Sequence, residues 1–505
     1  MTPTAAAKAQ RANLQSAAPM RTGAEFLASI REDGRHVYCD GELVRDVTTH
    51  PHFRGAANSL ARLFDVAADP ANRELMTFPS PATGAPVLRC YEVPKTIADL
   101  AARRAMSRRW AEESFGLMGR TPDHVAGFLA GYAAKPGVFA EAGKQYAENI
   151  TAYHEHARDN HLYLSYAIVP PQIDRSKPAH QQSDPSLYAG VVAERDDGIV
   201  LKGAQQLATG SVYSDAVYIS CIHPLGPGDE NYAFAVAVPA NAPGLKIYTR
   251  RPYASGATSE FDYPLSSRYD ETDALLVLDN VFVPWEHVFC YRNLQLCRDQ
   301  WWRTPSHSYG NHQAQVRYSV KLHFLMGLAK RLCEITGNIA MPPVQIMLGE
   351  MAAFATLVNS MVLAQEAQAT IDSEGVVWPS KAALYAVMAL QSEINPRLLN
   401  IMRELAGGSI IMLPSSEKDF AAPEIAADLD RYIASPGYPS RQRTAVLKLV
   451  WDMIGSEFAG RHEQYEKFYG GASFLVKQNM ARAYDFTSAT ALVDRALSES
   501  LQNPG

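Results

Sequence analysis

The hydrophobic period of the sequence changes twice, and this change restricts the chain to a small number of folds. Up to about residue 155 the pattern is mainly helical, and Met106, Trp110 and Leu117 fall on one helical face. The helical period returns from residue 296 onwards. Between them, from 156 to 295, short β-branched and aromatic segments separated by Gly, Pro and Asp turns predict strands at 199–203, 216–220, 232–238 and 275–278.

The last region is predicted to hold long helices at 313–337, 343–372, 379–407 and 439–468, and glycine pairs mark two of their ends. We therefore expect an α+β fold. Its parts are a flexible tail (1–19), an N-terminal helical domain (20–155), a central antiparallel β barrel or sandwich (156–295) and a C-terminal four-helix bundle (296–505). This order resembles the acyl-CoA-dehydrogenase-like architecture of flavoproteins, which by itself implies no function.

Charge and cysteine usage argue against several classes of protein. The 505 residues carry a net charge of −6 without a basic stripe, so nucleic-acid binding is not expected. No continuous apolar run reaches the roughly 20 residues that span a bilayer, and the N-terminus lacks the apolar core of a secretory signal. The six cysteines form no CxxC or zinc-ribbon spacing, so we expect no metal site and a cytoplasmic protein with free thiols.

Arg120 is the first candidate functional residue. It lies in the bend Gly119-Arg-Thr-Pro-Asp-His124, where a glycine ends one helix and Pro122 precedes the next. An arginine in such a bend can direct its guanidinium at a carboxylate, a phosphate or a phenolate. The alternative is that Arg120 pairs with Asp123 or caps a carbonyl group.

Three glycine-containing segments could let a ligand approach the backbone closely. Residues 202–211 follow a strand and match neither a Walker loop nor a dinucleotide fingerprint, and an ordinary β-turn is the alternative. Residues 403–409 and 468–473 are glycine pairs at helix ends, where a plain C-cap is the alternative to contact with a pyrophosphate or an adenine.

Residues 301–312 combine aromatic side chains with two histidines. His307 or His312 could act as a base near neutral pH, because the ordinary histidine pKa is about 6.5. The two are five residues apart and no Glu-x-x-His pair accompanies them, so metal binding is not expected. Packing between domains is the alternative.

Together, these segments resemble the oxygenase component of the 4-hydroxyphenylacetate 3-hydroxylase family, and most of all its chlorophenol and nitrophenol branch. The resemblance runs from about residue 20 to about 490. Its matching stretches are FGLMGRTPDHV (115–125), HLYLSYAIVPPQIDRSKP (161–178), LYAGVVAERDDGIVLKGAQQLATGSVYSD (187–215), FDYPLSSRYDETDALLVLDNVFVPWEHVF (261–289), RDQWWRTPSHSYGNHQAQVRY (298–318), PPVQIMLGE (342–350), WPSKAALYAVMALQSE (378–393) and GSEFAGRHEQYEKFYGG (455–471).

The resemblance implies a homotetramer that uses O₂ and reduced FAD supplied by a separate NADH-dependent flavin reductase. The absence of a nicotinamide fingerprint agrees with a separate reductase. It also implies that the reduced flavin forms a C4a-hydroperoxide. A phenol then attacks this adduct, and halide or nitrite leaves where the attacked carbon carries one.

Residue roles are also implied by the resemblance. Arg120 would lie near the flavin and the phenolic oxygen, and His307 would be the base, with His312 as the fallback. The residues expected to contact substrate are His124, Tyr166, Trp302, His312 and Gln464. Those expected to contact FAD are Arg120, Gln172, Thr209, Gly210, Ser211, Gly407, Gly408, Gly471 and Ser473.

Two positions depart from the hydroxyphenylacetate enzymes. The position after GRSPD is commonly tyrosine in those enzymes and is His124 here, and their LTH motif reads Leu164-Ser-Tyr166 here. Both changes favour a halophenol or nitrophenol over hydroxyphenylacetate. The alternatives are a 4-hydroxyphenylacetate 3-hydroxylase, an acyl-CoA-dehydrogenase-like flavoenzyme, a flavin/iron–sulfur dehydratase and a catalytically silent carrier protein.

Overall fold

The computed structural model describes residues 19–253, 255–257 and 259–502, and the side chains up to residue 498. The predicted tail lies outside these residues except for its last position. Between residues 19 and 159 the structure shows seven α-helices: α1 (Gly23–Ile30), α2 (Arg54–Ala68), α3 (Arg73–Met76), α4 (Ile97–Glu113), α5 (Pro122–Ala134), α6 (Pro136–Ala140) and α7 (Lys144–Asp159). It also forms the strands β1 (His36–Cys39), β2 (Glu42–Val44), β3 (Thr77–Pro79) and β4 (Pro86–Leu88).

The middle of the chain contains the predicted strands. They are β5 (Leu164–Ala167), β6 (Gly190–Arg195), β7 (Gly198–Gln205), β8 (Ala216–Ser220), β9 (Phe234–Pro239), β10 (Leu245–Thr249), β11 (Ala274–Pro284) and β12 (Val288–Tyr291). A short helix, α8 (Ser266–Tyr269), precedes β11. All four strands expected from the sequence are confirmed, because each combines β-branched residues with flanking turn residues.

These strands form two sheets, and the described residues contain no closed barrel. The first sheet has the order β2-β1-β10-β11-β7-β6, and the second has the order β12-β9-β8-β5. The expectation of a purely antiparallel arrangement is wrong, because β1 pairs with β10 and β5 with β8 in parallel. The first of these pairs joins segments about 200 residues apart, and strands of three or four residues show too few alternations to be recognised from the sequence.

The remainder of the chain is mostly helical: α9 (Leu294–Trp302), α10 (Ser306–Thr336), α11 (Pro342–Ala367), α12 (Lys381–Ala406), α13 (Pro423–Tyr432), α14 (Ser440–Ile454), α15 (Glu457–Phe468), α16 (Ser473–Ala483) and α17 (Phe486–Gln502). The two-residue strands β13 (Thr370–Ile371) and β14 (Val377–Trp378) join α11 to α12. The expected single helix over 439–468 is wrong. This segment forms two helices, α14 and α15, separated at Gly455. The Ser456 side chain caps α15 by accepting from the Ala459 N–H.

Helices α5 and α10 pack closely, and this contact positions the site described below. Gly127, Gly131 and Gly310 face the partner helix, where a Cβ on Gly131 would collide with the Ser306 backbone and one on Gly310 with the Phe128 ring. Without side chains at these points, the two helices approach more closely than larger residues would permit.

Helix α11 contacts α10 and α12. Among the described helices it alone is long and apolar enough to cross a membrane. In this single chain, 17% of its most apolar 18-residue window is buried. Glu350 and Glu366 interrupt its apolar sequence.

Candidate active site

Arg120 is a buried cation at the point where α5, α15 and the β region meet. Its guanidinium Nη1 donates to the Tyr465 hydroxyl at 2.7 Å, and the group lies 5.3 Å from the centre of the Tyr166 ring. Within the described part of the chain it forms no ion pair with a carboxylate. The backbone fixes its position, because Glu271 accepts from its N–H and its carbonyl accepts from the Tyr163 hydroxyl at 2.7 Å. The predicted alternative of pairing with Asp123 is not observed.

The charge of Arg120 is retained despite burial. Burial alone would lower its pKa, but the neighbouring Tyr166, Tyr465 and Glu271 outweigh burial and raise it. A buried guanidinium with no carboxylate partner is costly unless an anion joins it. The site is therefore suited to a bound anion.

Tyr465 orders the cations around Arg120. It lies on α15, and the guanidinium groups of Arg120, Arg317 and Arg461 lie 5.2, 5.3 and 4.7 Å from its ring centre. Burial raises the pKa of Tyr465 to about 12, so its hydroxyl stays protonated and accepts from Arg120. The neighbouring Gln464, expected to bind substrate, is exposed in this single chain.

Beneath Tyr465, α15 and α10 share a buried ionic network. Glu466 accepts from Arg317 Nη2 at 2.8 Å, from Lys321 Nζ at 2.8 Å and from Gln391 Nε2 at 2.6 Å. The ion pairs around Arg120 are balanced, four cations against four carboxylates, and Arg120 adds one positive charge. The cations are Arg250, Arg317, Lys321 and Arg461, and the carboxylates are Asp270, Glu271, Asp273 and Glu466. This excess again favours an anionic ligand.

His124 and Tyr166, which the sequence analysis proposes as substrate contacts, lie beside Arg120. Their ring centres are 5.5 Å apart in a stacked arrangement, and Phe128 lies 5.2 Å from His124. His124 Nδ1 is 3.1 Å from Gln313 Oε1. Burial, and next the charge of Arg120, hold the pKa of His124 well below its ordinary value, so the ring is neutral at pH 7.

The segment Thr209-Gly210-Ser211 comes against the same arginine from the β region. Gly210 has φ +79°, and a Cβ there would collide with the Tyr163 hydroxyl that holds the Arg120 carbonyl. Thr209 Oγ1 donates to Asp273 at 2.6 Å, and Ser211 Oγ donates to the Ala208 carbonyl at 2.8 Å. Both hydroxyls are engaged within the protein, so backbone is what this segment offers a ligand.

His307 and His312, the predicted base and its fallback, lie on the first turns of α10. His307 packs against half-exposed Trp302 at 4.5 Å between ring centres, and its Nδ1 is 3.4 Å from the Tyr385 hydroxyl. Burial, with Lys381, lowers the pKa of His307 to about 4. His312 Nε2 lies 3.3 Å from Glu366, and burial lowers its pKa although Glu366 opposes the shift. Neither contacts Arg120, and the catalytic role of either stays a prediction.

The remaining predicted FAD contacts are surface positions in the single chain. Gly407, Gly408 and Gly471 are exposed, with open space where a Cβ would be, and Ser473 begins α16. Gln172 borders a cavity of about 250 Å³ with Arg175 and His223. The cavity lies at the carboxyl ends of the parallel strands β5 and β8. The first residue of its lining is Pro170, four residues after Tyr166 in the chain.

The described residues hold one group with metal-ligand atoms close together. Cys39, Asp40 and His52 place such atoms within 4.8 Å of one another. His52 Nε2 lies 3.2 Å from a carboxylate oxygen of Asp40. This group was not among the sequence-based candidates.

Sequence reasoning missed Tyr465, Glu466 and Gln313. Arg461, Tyr465 and Tyr469 recur at a spacing of four, which could have marked the inward face of α15. Nothing in the sequence marked Gln313, because its importance depends on which helix lies opposite.

Comparison with known proteins follows the same segments. The family models described as 4-hydroxyphenylacetate 3-hydroxylase, N terminal and C terminal, match residues 22–290 and 297–498. The 4-hydroxyphenylacetate 3-monooxygenase oxygenase component of Pseudomonas aeruginosa is 36% identical, over 91% of this chain and 88% of its own length. The 4-nitrophenol 2-monooxygenase oxygenase component of a Rhodococcus species is 35% identical, over 92% and 89%.

A solved structure agrees over almost the whole fold. The oxygenase component of 4-hydroxyphenylacetate 3-monooxygenase, complexed with FAD and 4-hydroxyphenylacetate, superposes with a TM-score of 0.90 at 33% identity and covers 95% of this chain and 99% of its own. Fold, buried arginine and these matches define a flavin-dependent aromatic monooxygenase, of which this chain is the oxygenase component. The chain belongs to the 4-hydroxyphenylacetate 3-hydroxylase family.

Proposed function

We propose that this chain hydroxylates a phenol with O₂ and reduced FAD at the site built around Arg120. The observation that carries the proposal is the buried Arg120 guanidinium. It lies 5.3 and 5.2 Å from the ring centres of Tyr166 and Tyr465, and among the described residues it forms no ion pair with a carboxylate. A phenolate next to this group would neutralise the excess positive charge of the cluster. Relatives named for phenols support the same class of substrate.

The residues present fit a flavin. Arg120, which has no carboxylate partner among the described residues, suits the negative charge of reduced flavin, and Gly210 keeps the backbone free of a side chain. Gly407, Gly408 and Gly471 leave space for the rest of FAD. Bound FAD supplies the activated oxygen. The chain's own residues hold the phenol, balance its charge and keep water away from it with Tyr166, Phe128 and Trp301.

We further propose a halophenol or a nitrophenol as the substrate, with release of halide or nitrite when the attacked carbon carries it. His124 and Tyr166 support this choice over 4-hydroxyphenylacetate, because the sequence exchanges the residue types expected at these two positions in the hydroxyphenylacetate enzymes.

The oxygenase needs a partner that reduces FAD. We propose a separate NADH-dependent flavin reductase, a homotetrameric oxygenase and a cytoplasmic location. We also propose that the chain keeps the three-domain, acyl-CoA-dehydrogenase-like arrangement with boundaries near 155 and 295. The exposed glycines at 407–408 and 471 support assembly, because a second copy placed over them would enclose a cofactor that one chain leaves open.

The decisive experiment is a coupled assay with NADH, a flavin reductase, FAD and O₂. The panel holds 4-chlorophenol, 4-nitrophenol, 2,4,6-trichlorophenol and 4-hydroxyphenylacetate, and the readouts are hydroxylated product, halide and nitrite. Product from the halophenols or from 4-nitrophenol is expected. Product from 4-hydroxyphenylacetate alone would overturn the substrate, and H₂O₂ alone with every phenol would overturn the function.

A further inference from the structure

His124 has one ring nitrogen committed to a fixed partner. Its Nδ1 lies 3.1 Å from the side-chain oxygen of Gln313 on α10. The amide nitrogen of Gln313 points the other way, towards Thr121 Oγ1 at 3.3 Å and Asp123 Oδ1 at 3.1 Å. All four groups are buried at the contact between α5 and α10.

The orientation of the Gln313 amide follows from its neighbours. Thr121 uses its only hydroxyl proton on Asp123 Oδ1, at 2.6 Å, so it can only accept from Gln313. A carboxylate oxygen also only accepts. The NH₂ group of Gln313 therefore faces these two residues, and its carbonyl oxygen faces His124.

This orientation fixes the tautomer of the imidazole. Because Gln313 Oε1 is an acceptor, Nδ1 of His124 must carry the proton, and Nε2 must carry the lone pair. Nε2 is buried and has no hydrogen-bonding partner among the described residues. A buried acceptor without a partner loses its hydrogen bond to water and gains none in return, so such a group calls for an explanation.

A ligand is the simplest explanation for the free nitrogen. The charged groups that face His124 are Arg120 and, farther off, Arg317, while Asp123 lies on its own helix turned towards Thr121 and Gln313. Tyr166 and Phe128 cover the ring without offering Nε2 a hydrogen bond. A phenol whose oxygen lay between Arg120 and Nε2 would satisfy both groups.

We propose that His124 Nε2 accepts the proton of the bound phenol, and that Gln313 is the residue that positions it by fixing its tautomer. The inference rests on the proposed function and assigns the proton to His124 in place of His307. The phenol O–H bond breaks as an N–H bond forms at Nε2, and the phenolate charge lies beside Arg120. When a ring hydrogen is replaced, the proton returns to the oxygen of the hydroxylated product. When halide or nitrite leaves and a quinone forms, the proton leaves His124 for solvent together with that anion.

His307 lacks the features on which this inference rests. Its Nδ1 is 3.4 Å from a tyrosine hydroxyl that can donate or accept, so no neighbour fixes its tautomer. His307 is 8% exposed and packs on half-exposed Trp302, whereas His124 is 1% exposed. Arg120 is the neighbour of His124 and is not in contact with His307.

The test is the ionisation of bound 4-nitrophenol, whose absorption moves to longer wavelength when the proton is lost. The oxygenase, loaded with reduced FAD under anaerobic conditions, is titrated with pH. We compare wild type with His124→Phe, His124→Gln, Gln313→Leu and His307→Phe. The control is His323→Gln, which changes an exposed histidine on α10, the helix of Gln313 and His307. Circular dichroism and melting temperature confirm folding.

We expect the pKa of bound 4-nitrophenol to rise by one unit or more in His124→Phe, by less in Gln313→Leu, and least in His124→Gln, whose amide oxygen retains an acceptor. His307→Phe and His323→Gln should titrate like wild type. A His124→Phe titration curve equal to that of wild type, or a shift in His307→Phe alone, overturns the inference. If wild type still hydroxylates a phenol in that case, the proposed function stands. Failure of wild type both to bind 4-nitrophenolate and to hydroxylate any phenol overturns both.

Discussion

The imidazole of His124 stacks on the phenol ring of Tyr166, with 5.5 Å between the ring centres and 30° between the planes. These are the two positions at which the sequence departs from hydroxyphenylacetate enzymes, where tyrosine and histidine are expected in the opposite order. Because the two rings touch each other and lie beside Arg120, the exchange keeps one histidine and one tyrosine in the same pocket. The pocket therefore keeps the same two residue types, but its histidine lies on α5 and its tyrosine on β5.

Arg120→Met should lower the rate of phenol hydroxylation by about 10²–10³, the usual effect of removing a preorganised group that stabilises developing negative charge. Arg120→Lys should lose less, because it keeps the charge but not the planar fork. The coupled assay measures product against H₂O₂. Arg397→Met, which removes an exposed ion pair with Glu350, serves as the control. Full product yield from Arg120→Met would contradict the role of this arginine.

Tyr465→Phe removes the hydroxyl that accepts from Arg120 and leaves the ring in place. A hydrogen bond to a charged group contributes about 1.5 kcal/mol, so we expect phenol to bind about tenfold more weakly. Melting temperature should change little. Titration of the phenol into oxygenase with reduced FAD gives the dissociation constant. Tyr432→Phe, at an exposed tyrosine, should bind the phenol as wild type does. Equal dissociation constants for Tyr465→Phe and Tyr432→Phe would contradict a role of the Tyr465 hydroxyl in binding.

Glu466→Gln should destabilise the fold by about 3–5 kcal/mol, because Arg317 and Lys321 then lose their shared buried carboxylate. Urea unfolding measures the change. Glu463→Gln, which breaks the more exposed pair with Arg403, should cost no more than about 1 kcal/mol. Equal losses in the two variants would show that burial of the network does not matter.

The contribution of Glu466 should depend on pH in a defined direction. Burial would raise its pKa, but Arg317 and Lys321 outweigh burial and lower the pKa from 4.5 to about 2. A lowered folded-state pKa stabilises the fold above pH 4.5 and loses that effect as the pH falls towards 2. The difference in unfolding midpoint between wild type and Glu466→Gln should therefore narrow below pH 4.5. A difference that widens on acidification would contradict this assignment.

Gly210→Ala should be more harmful than Gly375→Ala, although both glycines have nearly the same positive φ, +79° and +76°. Either change costs about 1–2 kcal/mol of backbone strain. Only Gly210 faces a crowded neighbour, the Tyr163 hydroxyl that holds Arg120, whereas Gly375 has open space. We expect both variants to melt below wild type, Gly210→Ala at the lower temperature, and we expect weaker phenol binding for Gly210→Ala alone. Identical behaviour of the two variants would remove Gly210 from the site.

The sequence determined the local structure and the family. The strands at 199–203 and 216–220 and three of the four long helices were predictable, because hydrophobic period and turn residues depend on neighbours in the chain. Arg120, His124 and Tyr166 were proposed as site residues from the motifs that surround them, and the fold brings them together.

Tertiary structure decided the rest. The parallel pair of β1 and β10, the division of the helix at Gly455, and the partners Gln313, Tyr465 and Glu466 all depend on segments that are remote in sequence. Long-range pairing and burial set which nitrogen of His124 is free and which arginine lacks a counter-ion. A one-dimensional pattern carries no such information, because the energies concerned come from groups that only the folded chain brings together.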